Sequence, residues 1–192
     1  MRCVACKGRR AVPRVVCMTD RRVLRNPART VACLPRGALV ILRDYDHPQR
    51  ESYARLWRKE TRKRCVLLLV AGDPALARRV QADGVHVPEY QLAKLKHWKT
   101  LNPRWFFSAS AHSLPALLRA RYADAVLISP VFPTDSHPNA GALGVIRFRH
   151  LVRRSSISVW ALGGISARTL PRLQGAGIAG IAGIRLFDAT AL

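Results

Sequence analysis

The segment DAVLISPVFPTDSHPNAGALG, residues 124–144, sets hydroxyl, imidazole and glycine groups directly behind an apolar run. Ser129, Thr134, Ser136 and His137 are of the types that hold a phosphate, and His137 adds a positive charge when protonated. Pro130, Pro133, Pro138, Gly141 and Gly144 lie among them. A loop of this length is uncommon in a compact chain unless it is functional or disordered. A second concentration is ALGGISART, residues 161–169, where Gly163 and Gly164 end an apolar run and lead into a helical pattern with Ser166 as its N-cap. Glycines let a ligand approach the backbone, and a helix start offers free N–H groups to an anion. A third is GIAGIR, residues 180–185, carrying Gly183, Ile184 and Arg185. The chemistry these groups suit is phosphate binding. The competing reading of the glycines is close packing of strand against helix.

Other reactive types are more scattered. Arg43 ends an apolar run, and His86, Ser110 and His112 lie in ADGVHV and SASAHS. Ser110 and His112 do not make a catalytic triad by spacing, since a triad is defined by geometry. Cys3 and Cys6 form a C-x-x-C, but no second pair follows to complete a tetrahedral metal site, so free thiols in a basic tail are expected. With Cys17, Cys33 and Cys65 the count is five, a poor disulfide framework.

Elements that would position these groups alternate along the chain. Short, nearly continuous apolar segments occur at 14–19, 38–43, 65–71, 84–87, 105–109, 124–129, 157–163 and 178–184. Such runs suit strands buried on both faces. Between them, stretches such as 49–62, 74–80, 113–121, 145–153 and 166–174 have helical spacing. Strand–helix alternation of this kind means a parallel sheet with right-handed crossovers, and eight units predict a (β/α)8 TIM barrel with a short or missing last helix. An open doubly wound sheet is the alternative; no G-x-G-x-x-G follows the first strand. The expected division is a basic N-terminal tail over 1–13 and a barrel over 14–192. In a barrel the ligand side is the C-terminal end of the strands, which selects Asp20, Arg43, Asp44, Gly72, Asp73, His86, Ser108, Ser110, the 129–137 segment, Gly163, Gly164 and 183–185.

Composition narrows the classes. The 192 residues, 49% of them hydrophobic, are enough for one domain with its own core, and global disorder is excluded. No apolar run reaches the roughly 18 residues of a membrane span, so no membrane partner and a cytoplasmic location are expected. The net charge of +22, from 33 Lys+Arg against 11 Asp+Glu, suits nucleic acid, anionic lipid or phosphorylated metabolites, the alternative being solvated helix faces rich in Arg. Nucleic acid is disfavoured because aromatic and basic residues interleave only at RLWRK, with no stacking platform.

The ordered set LRD, ADGVHV, SASAHS, PVFPT, ALGGI and GIAGI resembles the thiamine phosphate synthase/TenI family, from about Val15 to Phe187. That resemblance implies a barrel that joins hydroxymethylpyrimidine diphosphate to thiazole phosphate with Mg2+. Arg43 then corresponds to the diphosphate arginine and Ser110 to the pyrimidine-binding serine. Thr134 and Ser136 correspond to the hydroxyl pair at the thiazole phosphate, with Gly163, Gly164, Ile184 and Arg185 around it. His137 stands in place of a diphosphate-contacting lysine, and Arg185 in place of a serine. Departures are concentrated at the metal. Gly72 and Gln91 align with the magnesium aspartates, leaving Asp73 and Glu89 as neighbouring replacements. Ile41 and Tyr45 replace a glutamine and a lysine beside Arg43. Pro130 stands where TenI-like tautomerases place a catalytic histidine. The expectation is therefore a transferase of thiamine biosynthesis acting on phosphorylated small molecules. Alternatives are a diverged paralogue that binds a phosphorylated metabolite, and a basic nucleic-acid-binding protein.

Overall fold

The computed structural model describes residues 11–134 and 141–187. Eight parallel strands close into a barrel in sequence order: β1 (Val15–Met18), β2 (Leu39–Leu42), β3 (Leu67–Ala71), β4 (Gly84–Val87), β5 (Phe106–Ala111), β6 (Ala125–Ile128), β7 (Ser158–Leu162) and β8 (Gly180–Gly183). β8 pairs with β1 through Val15–Ile181 and Cys17–Gly183 to complete the ring. The strands read as unbroken apolar runs because each face meets an apolar layer. Val16, Met18, Leu39, Ile41, Leu69, Phe106, Leu127 and Trp160 fill the interior. Val40, Leu42, Leu68, Val70, Val85 and Phe107 face the helices. No edge strand is left exposed.

Among the described residues six α-helices cover the outside: α1 (Pro27–Ala32), α2 (Arg50–Lys63), α3 (Pro74–Arg79), α4 (Leu92–Leu101), α5 (Leu114–Arg119) and α6 (Gly144–Arg154). Three begin on one device. Asn26, Asp73 and Ser113 each accept a backbone N–H of the first turn, and each is followed within two residues by proline. The helix expected over 166–174 is instead a turn followed by a 3-10 segment, Leu170–Leu173. Pro171 lies inside that stretch and has no N–H to continue an α-helix, while the Ser166 and Thr169 hydroxyls close a local turn.

Two aspartates tie the N-terminal ends of strands to helices in the same way. Asp83 accepts from Leu68 N at 2.8 Å and from Arg58 of α2 at 2.7 and 3.2 Å. Asp124 accepts from Phe107 N at 2.8 Å and from Lys99 of α4 at 2.8 Å. Each thereby joins the start of a strand to the helix that precedes it. Ahead of β1, Val12 packs on the interior cluster, and Trp160 Nε1 donates to Pro13 O at 2.7 Å. Cys3 and Cys6 lie outside the described residues. Cys17 is buried in the wall, and Cys33 and Cys65 are exposed free thiols. Among the described residues no helix is long and apolar enough to cross a membrane.

Candidate active site

A cavity of about 1180 Å³ opens at the C-terminal ends of the strands. Arg43, after β2, reaches it from a base fixed on both sides. Its backbone N–H donates to Thr19 Oγ1 at 3.0 Å, Thr19 donates to the Asp44 carboxylate, and Asp44 also accepts Arg21 N at 2.7 Å. Asp44 is thus spent on the loop after β1, and no carboxylate among the described residues forms an ion pair with Arg43.

Two strands further round the ring, His86 and Ser108 are register partners on β4 and β5. His86 Nδ1 lies 2.8 Å from Ser108 Oγ, and Nε2 lies 2.9 Å from Ser110 Oγ. Ser108 and Ser110 share a face because strand side chains repeat every two residues. Burial first, and the Arg43 charge second, lower the His86 pKa to about 3, so the ring is neutral at physiological pH. A neutral imidazole donates from one nitrogen and accepts at the other. The two serines therefore take opposite hydrogen-bond roles, and the Ser110 hydroxyl meets the cavity with a set polarity. His112, the next group around the rim, donates Nδ1–H to Ser129 O at 2.7 Å, while its backbone N–H donates to Glu89 Oε2 at 2.7 Å.

The glycines after β7 serve the loop after β6. Val131 N donates to Leu162 O at 2.9 Å and Phe132 N to Gly163 O at 3.1 Å. A Cβ on Gly164 would lie 2.4 Å from Pro133 O, and its φ of +63° is one that side chains rarely adopt. Close packing and a site here are not alternatives. The seam that needs the glycines also brings Pro130, Pro133, Thr134, Gly163 and Gly164 to the same cavity wall. Ile184 and Arg185 complete it from the end of β8.

Of the residues singled out in the sequence, Arg43, Ser110, Thr134, Gly163, Gly164, Ile184, Arg185 and Glu89 all line the cavity. Ser136 and His137 lie outside the described residues. Asp73 is not part of the lining. Its Oδ1 caps α3 by accepting Leu76 N at 2.8 Å, and Oδ2 lies 3.8 Å from Arg50 Nη1. The structure adds Arg119, from α5, and joins His86, already placed on the ligand side, to Ser110. Arg119 carried no signal because it ends a helix rather than a strand. His86 had one in the i, i+2 serines of the neighbouring strand. Three arginines line the cavity, and Glu89 is the one carboxylate among the described lining residues. The electrostatics favour an anion.

Comparison with known proteins agrees with this picture. The family model described as thiamine monophosphate synthase matches residues 15–187. The chain belongs to the thiamine monophosphate synthase family. An Aquifex aeolicus protein, provisionally named thiamine-phosphate synthase 2, is 36% identical over 183 residues, 92% of this chain and 98% of its own length. The thiamine-phosphate synthase of Methanocella arvoryzae is 37% identical over 129 residues, which are 65% of this chain and 60% of that protein. The solved thiamine phosphate pyrophosphorylase of Pyrococcus furiosus superposes with a TM-score of 0.77 at 28% identity, covering 90% of this chain and 85% of that one.

Within this family frame the metal corner departs from expectation. Among the described residues no group of three or more His, Cys, Asp or Glu is placed to hold a metal ion. Asp73 is committed to its cap and to Arg50, and Glu89 to the His112 N–H. The magnesium site that the resemblance implies does not fit the side chains that stand there.

Proposed function

We propose that this chain is a thiamine phosphate synthase-type transferase, joining hydroxymethylpyrimidine diphosphate to thiazole phosphate with release of diphosphate. The observation that carries this reading is the composition of the cavity wall: Arg43, Arg119 and Arg185 against Glu89, with Ser110 on one side and the Gly163–Gly164 turn on the other. The chemistry needs little acid–base help. The bond from the pyrimidine methylene to the diphosphate oxygen breaks, the diphosphate leaving with the electron pair. The thiazole nitrogen lone pair then forms the new C–N bond.

What the protein must supply is charge for the leaving group and alignment for the two rings. Arg43 takes the diphosphate, and His137 is assigned to the same group by its match to the family's diphosphate-contacting lysine. Ser110, held by His86, takes a ring heteroatom of the pyrimidine. Thr134, Ser136, Gly163, Gly164, Ile184 and Arg185 hold the thiazole phosphate. Mg2+ would supply further charge at the diphosphate in a metal-dependent member, but the side chains at this corner do not support assigning it Asp73 or Glu89 as ligands.

The experiment is to incubate the protein with both substrates and follow diphosphate and thiamine phosphate together. Formation of both in equal amounts supports the transferase. Tight thiazole phosphate binding without turnover supports a diverged binding paralogue, a reading favoured by Gly72 and Gln91 at the aligned metal positions.

A further inference from the structure

The end of β3 is where the family resemblance places magnesium, and the two aligned positions do meet there. A Cβ built on Gly72 would lie 3.1 Å from Gln91 Oε1, 3.4 Å from the Tyr45 ring and 3.6 Å from Pro88. Side chains at 72 and 91 would face each other, yet position 72 has none and position 91 offers a neutral amide. The cation at this corner is a guanidinium, Arg50. Arg50 Nη2 donates to Ala71 O at 2.7 Å, its guanidinium sits 5.2 Å from the Tyr45 ring centre, and its Nη1 is 3.8 Å from Asp73. Arg50 Nε and Gln91 Oε1 are buried and have no hydrogen-bond partner.

Magnesium is held through one or two carboxylates with near-octahedral oxygen geometry. Here the carboxylate in reach is already a helix cap beside a guanidinium, and a second cation would be repelled. A guanidinium is always charged, matches phosphate oxygens with two parallel donors, and needs no carboxylates to hold it.

Resting on the function proposed above, we propose that this cavity binds its diphosphate group without a divalent cation. Arginines supply the charge that a metal would bring: Arg43 and Arg119 from the cavity wall and Arg50 from behind Tyr45. Where the resemblance places a metal, a guanidinium stands behind the cavity wall.

Calorimetric binding of inorganic pyrophosphate to the full chain tests this, once in EDTA and once in excess magnesium. The expected result is saturable binding in EDTA that magnesium does not tighten, and weakens as it sequesters free pyrophosphate. Arg50→Met, checked for folding by circular dichroism, is expected to weaken the EDTA binding about threefold, the loss of a nearby charge that does not contact the ligand. Binding seen only with magnesium, or tightened more than about fivefold by it, overturns the metal-free mode and leaves the transferase reading intact. Absence of binding under both conditions overturns both. The wild-type comparison decides the matter even where Arg50→Met fails to fold.

Discussion

The Ser110 hydroxyl sits 2.9 Å from Nε2 of the buried His86, whose other nitrogen is engaged by Ser108 at 2.8 Å. Ser110 is thus part of a three-residue relay running from the barrel interior to the cavity. Removing the hydroxyl in Ser110→Ala should cost one hydrogen bond to the ligand, about tenfold in pyrimidine diphosphate affinity. Ser108→Ala touches no ligand and should also weaken that binding, with thiazole phosphate affinity unchanged. Direct binding of each substrate to the two variants checks this. Equal losses for both ligands would point to general destabilisation instead.

The same histidine makes a pH prediction. Its folded pKa, lowered by burial and by Arg43 to about 3, lies below the ordinary 6.5 of the unfolded chain. Between these values the unfolded state binds more protons, so stability is complete above about pH 6.5 and falls as pH drops towards 3. The slope reaches about 1.4 kcal/mol per pH unit. His86→Asn should lose this part of the acid sensitivity. Urea unfolding at pH 7 and pH 4.5 measures it, and equal pH slopes in the two proteins would contradict the assignment.

Arg43→Ala should weaken pyrophosphate binding by about 100-fold, since it removes an ionic partner held ready by Thr19 and Asp44. Its effect on stability should be small, because no carboxylate among the described residues depends on it. Titration calorimetry beside thermal unfolding separates the two. A large fall in Tm with unchanged affinity would refute the role.

Gly164→Ala should cost about 2 kcal/mol or more, because the added methyl meets Pro133 O and the φ of +63° is strained. Thiazole phosphate binding should fall with it, as the loop after β6 is displaced. Replacing Thr134 and Ser136 together by alanine should weaken the same binding with little loss of Tm. Unchanged affinity in the double variant would remove the hydroxyl pair from the phosphate site.

The barrel was readable because strands buried on both faces leave an uninterrupted apolar signature, as in Leu67–Ala71 and Ala125–Ile128. Ring closure followed from the count of units. Less readable were elements whose outcome depends on competition between local signals. Over 166–174 the apolar spacing suggested a helix, and Pro171 with the Ser166–Thr169 turn prevailed. Asp73 looked free to bind metal because its duty as the cap of α3 is visible only when Leu76 N is placed beside it. Arg50 and Arg119 gave no signal at all. They sit at the ends of helices, and only the packing of α2 and α5 brings them to the mouth of the barrel. Ser110 and Arg43 were found because strand ends face the ligand side. That rule also selected His86, Ser108 and Asp44, but not the hydrogen bonds through which His86 and Ser108 hold Ser110, or those through which Thr19 and Asp44 hold the base of Arg43.

The most direct measurement is mass-spectrometric detection of product from hydroxymethylpyrimidine diphosphate and thiazole phosphate, with diphosphate quantified in the same sample. The proposed transferase predicts thiamine phosphate and diphosphate in a one-to-one ratio, lost together in Arg43→Ala. Substrates recovered unchanged, or diphosphate released without thiamine phosphate, would contradict it.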